Sequence, residues 1–287
     1  MADPSTIPGE RKGTRLLDRV RVAIRTRHYS PRTEKAYVSW ILRFIFFYDK
    51  RHPEEMGEPE ISAFVSHLAT RKRVSASTQS QALAALLFLY QNVLRRELNL
   101  MEIARAKRPV RLPLILSREE VSEILGRLEG TSRLMASLMY GSGLRVLECC
   151  HLRVKDVDFG RGELTVRDGK GEKDRVTLLP KKLSESLDGH LERVRQQHAR
   201  DLRAGAGFVE LPYALNTKYP NAARDWAWQW VFPATKHYFH RETGQRRRHF
   251  LHETAVQRAF RRAVLAAGIA KPATCHKLEA RLRHPPP

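Results

Sequence analysis

The chain has 287 residues, of which 52 are Lys or Arg and 31 are Asp or Glu, giving a formal charge of +21. Its length predicts two domains, and 42 % hydrophobic content with ordinary glycine and proline excludes a mostly disordered or collagenous chain. Three cysteines, two of them adjacent, exclude a disulfide framework and fit a reducing, intracellular compartment. The most apolar run, residues 82–90, is far short of the roughly 18 residues of a membrane span, and no apolar stretch follows the basic residues of the N-terminus, so neither membrane nor secretion is expected. A pI near 10.4 points to a polyanionic partner. Nucleic acid is the expected one, because each phosphate neutralised by Lys or Arg releases condensed counterions. The charge is spread along the chain, with denser spots at 71–73, 105–111 and 246–248, as in a protein that wraps its partner.

Residues 1–13 are polar and predict a frayed start. Leu16, Leu17, Val20 and Ile24 then fall on one helical face. Ser30-Pro31 is a helix start signal, Ser as N-cap and Pro at the first helical position. After it, Tyr37, Trp40, Ile41, Phe44 and Tyr48 recur at spacings of three and four. Ile61, Phe64, Val65 and Leu68 repeat the pattern behind Pro59. Ser77 is assigned as the cap of a longer helix carrying Ala82, Ala85, Leu86, Leu89, Tyr90, Val93 and Leu94. Four amphipathic helices within 14–100 predict a small bundle.

Residues 101–116 read as a basic linker kept extended by prolines. Lys107, Arg108 and Arg111 suit a strap along a phosphate backbone; a plain connector is the competing reading. Ser117 and Glu120 form a capping box that opens the second domain, 117–287. Val121, Ile124, Leu125 and Leu128 continue that helix, and residues 134–140 form another, which ends at Gly141-Ser142-Gly143. Residues 144–152 restart as a helix. Strands over 162–167 and 174–179 flank a turn at 168–173, so a β-hairpin sits inside a mostly helical domain. Residues 183–203 form a charged helix.

The run GSGLRVLECCHLRVKDVDF (141–159), followed by VRDGKGEKDRVTLLP (166–180), resembles the catalytic domain of tyrosine recombinases, the phage-integrase family. The N-terminal bundle is similar to that family's core-binding domain. LPYALNTKYPNAARDWAWQWVFPA (211–234) and HRETGQRRRHFLHETAVQRAFRRAVLAAGIAKPATCH (240–276) resemble integron integrases, including their extra segment. The resemblance implies a mainly α fold with a small β-sheet or hairpin. Its N-terminal part is a four-helix SAM-like core-binding domain. Its second part is a truncated α+β catalytic domain, incomplete after about 276, with an integron-type insertion at about 205–250.

The family's reaction is attack by a tyrosine on a DNA phosphodiester, giving a 3′-phosphotyrosyl link and a free 5′-hydroxyl. It conserves bond energy, so the resemblance implies no metal, ATP or other cofactor. Charge gathers on the non-bridging oxygens and calls for fixed cations. Arg145 matches the family's first catalytic arginine; the competing reading is a structural arginine paired with Glu148. Lys170 matches the lysine that protonates the leaving 5′-oxygen, against a solvated turn lysine, with Lys173 beside it. His276 matches the histidine that opens the second arginine motif, against an ordinary histidine in a broken segment. Cys149-Cys150-His151 is not a zinc site, because adjacent helical side chains point apart.

The sequence then departs from the family. Where the family has His-x-x-Arg, the chain reads His276-Lys277-Leu278-Glu279, and a carboxylate there repels a phosphate. Leu282-Arg283-His284 looks like a displaced scrap of the motif. The last tyrosine is Tyr238, a poor substitute nucleophile. A truncated or frame-shifted product is the expectation, with strand cleavage lost and the family's tetramer on two DNA sites impaired. DNA contacts are expected from Lys173 and Arg175 as well as the linker. In integron integrases the extra segment serves folded single-stranded sites with bases flipped out of the stem, alongside duplex sites. Trp226, Trp228, Trp230, Pro233, His237 and His240 are the candidates for that pocket; the competing reading packs Trp226 and Trp230 in a core. The expected location is cytoplasmic, on the nucleoid when DNA-bound. The alternative function is a non-catalytic DNA-binding protein that competes at recombination sites or represses a promoter; a poorly folded fragment is the third possibility.

Overall fold

The computed structural model describes residues 15–99, 115–167, 174–212, 215–276 and 278. The chain divides into two compact units, Met1–Arg111 and Leu112–Pro287. Both are dominated by helices, with small antiparallel sheets in the second. Among the described residues no helix is long and apolar enough to cross a membrane.

The first unit holds α1 (Leu16–Thr26), α2 (Pro31–Phe47), α3 (Glu58–Thr70) and α4 (Ala76–Phe88), the last continuing as a π-helical turn over Leu89–Val93. The three-and-four spacing places Val20 and Ile24, Ile41 and Phe44, Ile61 and Val65, and Ala82 and Leu86 in one core. Ser30 caps α2, its hydroxyl accepting from the Thr33 N–H at 3.1 Å, with Pro31 behind it. The cap of α4 is Ser75, which accepts from the Thr78 N–H at 3.2 Å. Ser77 is inside the first turn, because Ser75 already has the extended backbone (φ −65°, ψ 153°) that a capping residue needs. Gln79 is buried yet satisfied: its amide donates to the Val65 carbonyl at 3.1 Å and ties α4 to α3.

The second unit begins with α5 (Arg118–Gly126), α6 (Gly130–Ser142) and α7 (Val146–Cys150). The Ser117–Glu120 capping box forms in both directions, at 3.1 and 2.7 Å. Helix α6 stops at Gly143, which takes the left-handed conformation (φ 65°) that favours glycine. A three-stranded sheet follows, β1 (Val157–Asp158), β2 (Glu163–Val166) and β3 (Arg175–Leu178), with Val166 opposite Arg175. Strand β1 is too short to leave a sequence signal. Helix α8 (Lys181–Arg203) starts right after Pro180. Gly141 makes room there, since a Cβ on it would sit 2.5 Å from the Pro180 ring.

Beyond α8 come the short α9 (Leu215–Lys218), the hairpin β4 (Pro233–His240) and β5 (Gln245–Phe250), and α10 (Glu253–Ala266). The main core of the unit joins Ile124, Met135, Met139, Val146, Phe232 and Phe260, and it takes in Cys275 and Leu278. A second, smaller core belongs to the stretch after α8: Val209, Leu211, Ala222, Ala223 and Trp230. The basic spot at 246–248 does not as a whole face outward to a partner: only Arg246 is exposed. Arg247 and Arg248 are buried, and Arg248 forks onto Asp201 of α8 at 2.8 and 2.9 Å while also donating to the Ala234 and Thr235 carbonyls.

Candidate functional site

The turn at Gly143 releases the chain for two residues before α7 begins, and Arg145 stands at that start with extended backbone (φ −69°, ψ 154°). Glu148, one turn on, closes back on it. Its carboxylate accepts the Arg145 N–H at 2.8 Å and the Arg145 guanidinium at 2.6 Å. Arg175 approaches the same carboxylate from β3 in a two-pronged contact, 2.8 and 2.6 Å. Its register is set two residues along the strand, where the Thr177 hydroxyl donates to the Ser142 carbonyl at 2.8 Å. Side chains two apart on a strand share a face, so this bond brings Arg175 to Arg145. Burial pushes the Glu148 carboxyl up, but hydrogen bonds from Arg175 and from both parts of Arg145 outweigh it and hold the group at about 2. Among the described residues, the outcome is two partly exposed guanidiniums on one buried carboxylate.

Glu148 also forms part of the wall of a cleft of about 510 Å³ between the three-stranded sheet and the stretch after α8. Trp228 and Trp230 line it, with His151, His249 and Phe250. His151 packs on Phe250 with ring centres 4.3 Å apart, and Trp230 meets Phe250 edge-on at 5.4 Å. Two cations lie over the tryptophans: the Lys155 ammonium 3.1 Å from the centre of Trp228, and the Arg153 guanidinium 3.8 Å from that of Trp230. Flat aromatic walls, cations and the adjacent arginine pair together suit an unstacked base with its phosphate.

Among the described residues, the other sequence-selected ones do not line this cleft. Trp226 packs towards α8, near His198 and Arg195. His237 is held between Asp201 (3.1 Å) and Arg248 (2.9 Å). Pro233 opens β4, and His240 contacts the Thr243 hydroxyl at the hairpin end. His276 is exposed, between buried Cys275 and Leu278. Lys107, Arg108, Arg111, Lys170 and Lys173 lie outside the described residues, as does Glu279. Cys149 and Cys150 are core thiols whose ionisation burial pushes up, the second to about 12. Residues the sequence reading passed over are Arg153, Lys155 and His249, while His151 was weighed only as a zinc ligand. The alternation of Trp228 and Trp230 was the available signal, and their neighbours come from segments distant in sequence.

The family model for the phage integrase N-terminal SAM-like domain matches residues 16–100, and that for the phage integrase family matches residues 115–284. An integrase/recombinase of Escherichia coli is 48 % identical over 268 residues, covering 93 % of this chain and 80 % of its own. The tyrosine recombinase XerA of Thermococcus onnurineus is 37 % identical over 155 residues, 53 % of this chain and 55 % of its own. Among solved structures, a lambda integrase tetramer bound to a Holliday junction superposes with a TM-score of 0.60 at 19 % identity, over 92 % of this chain and 67 % of that one. XerH bound to its palindromic difH substrate gives 0.58 at 18 % identity, over 92 % and 71 %. These two likenesses concern the fold.

Proposed function

The chain belongs to the phage integrase family of DNA-binding, site-specific tyrosine recombinases, and from that premise we propose that it is of the integron-integrase type and engages recombination sites without cutting them. The observation that carries the reading is the Arg145–Glu148–Arg175 cluster opening beside an aromatic cleft. Arg145 and Arg175 contact the backbone phosphate, Lys170 serves the leaving oxygen in the family's reaction, and His276 belongs to the same set. Lys107, Arg108, Arg111 and Lys173 add phosphate contacts that fix register and carry no sequence information. The cleft takes an unpaired base of a folded single-stranded site against the half-buried Trp228, with the buried Trp230 backing the wall. Trp226, Pro233, His237 and His240 then support the inserted segment.

The proposed loss of cleavage is read from the sequence at the family's second arginine motif. Glu279 occupies the place of the second arginine, and removal of one such donor typically costs about 10²–10³ in rate. The test is a nicked suicide substrate incubated with a polypeptide of these 287 residues. Retarded complexes with no covalent protein–DNA adduct on a denaturing gel are expected; an adduct overturns the reading. A preference for the folded single strand over random DNA of equal length, kept at moderate salt, supports the integron type, and equal affinities remove it.

A further inference from the structure

We infer that Arg153 is the positioning residue that locks Trp228 and Trp230 into the cleft wall, so that the grip on an unpaired base depends on this one guanidinium. The inference rests on the base-receiving role proposed for the cleft. Arg153 lies just beyond α7, on the stretch that carries Arg145 and Glu148. Its side chain leaves that stretch and enters the inserted one. One arm donates to the Trp228 carbonyl at 2.6 Å and another to the Glu210 carbonyl at 2.8 Å, two points 18 residues apart in the chain. Its plane lies 3.8 Å from the centre of the Trp230 ring and 5.5 Å from that of Trp228.

The backbone joins at the same place. Arg153 and Trp230 form an isolated antiparallel bridge, the Val154 N–H donates to the Gln229 carbonyl at 3.0 Å, and the Val231 N–H donates to the Leu152 carbonyl at 2.9 Å. A lysine cannot reproduce the contact. Its single nitrogen does not reach two carbonyls in a fixed fork, and it lacks a plane to lay on an indole. Burial costs this guanidinium some of its basicity, down to about 10, so it stays charged at neutral pH. The Asp156 carboxylate, which accepts the Arg153 N–H at 3.1 Å, keeps an opposite charge close by. The small core of Val209, Leu211, Ala222, Ala223 and Trp230 also holds the inserted stretch together, and the fork packs onto it through Trp230. What the fork sets is where the two indoles stand relative to the arginine pair.

The experiment compares the full chain with R153M and R153K on two labelled DNA hairpins, one with a single extrahelical base and one fully paired, alongside thermal melting. The unaltered chain is expected to prefer the hairpin with the extra base. Both variants are expected to lose that preference by about tenfold, the size of one stacking contact, while their affinity for the paired hairpin changes less than about twofold and melting stays cooperative. A variant that melts cooperatively and keeps the full preference overturns the inference, and R153K decides the matter if R153M does not fold. Failure of both variants to melt cooperatively also overturns it, since Arg153 is then required for the fold itself. If the unaltered chain shows no preference, the cleft's base-receiving role fails first, a result distinct from either of the others.

Discussion

Replacing Glu148 by Gln removes one charge from beneath two guanidiniums and leaves the side-chain volume unchanged. In the native protein that carboxylate is only 8 % exposed and sits at about 2 against an ordinary 4.5. The depression is worth about 3 kcal/mol of stability, at roughly 1.4 kcal/mol per tenfold change in proton affinity. Because the folded-state value is the lower one, this stabilisation is complete above pH 4.5 and disappears as the pH falls towards 2. E148Q has no such titration. Other carboxylates titrate in both proteins and cancel in the difference. The gap between them is therefore expected to be about 3 kcal/mol at pH 7 and to close between pH 4.5 and 2. Urea unfolding followed by tryptophan fluorescence reads it, since three of the four tryptophans, Trp226, Trp228 and Trp230, belong to the unit that holds Glu148. Equal midpoints at pH 7, or a gap that persists undiminished in acid, refutes the assignment of Glu148 as the charged hub.

Other perturbations probe separate parts. Arg175→Ala is expected to weaken binding to duplexes of any sequence and to lower the salt slope of log K by about one, measured by anisotropy titration over a salt series; an unchanged slope places Arg175 away from phosphate. Gly141→Ala drives a methyl to 2.5 Å from the Pro180 ring and is expected to cost about 1–3 kcal/mol in urea unfolding. Gly126→Ala, whose added methyl meets nothing within 4 Å, serves as the neutral control. Asp201→Asn strips the buried Arg248 of its carboxylate and is expected to cost about 3–5 kcal/mol, read as a fall in Tm of the second unit.

The helices of the first unit were legible because each repeats its apolar residues at the helical period, and two of them, α2 and α4, start at a Ser with an extended backbone. The one slip, Ser77 for Ser75, came from two capping residues two positions apart, which sequence alone does not rank. The hairpin after α8 was hidden for a physical reason. Its second strand buries Arg247 and Arg248 in place of aliphatic side chains, so the alternation that marks a strand is absent, and the same arginines looked like charge turned towards a polyanionic partner. A buried arginine becomes intelligible only with its partner, and Asp201 lies 47 residues away.

The site divides along the same line. Arg145 and Glu148 were readable together because a cap and its closing carboxylate are three residues apart, a spacing fixed by the helix. Arg175 was placed in the DNA surface, but its meeting with Arg145 depends on the register of β3, which the Thr177 bond to Ser142 sets. The cleft depends on a longer-range fact still: Trp228 and Trp230 become a wall only where Arg153, three-quarters of a hundred residues earlier, reaches across to them. One short stretch, 145–153, thus carries at its beginning the arginine proposed to meet a phosphate and at its end the anchor of the aromatic wall. On the proposed reading, a backbone phosphate and a displaced base are held in fixed relation, and the five-residue α7 between the two arginines is the rigid connection that reading calls for.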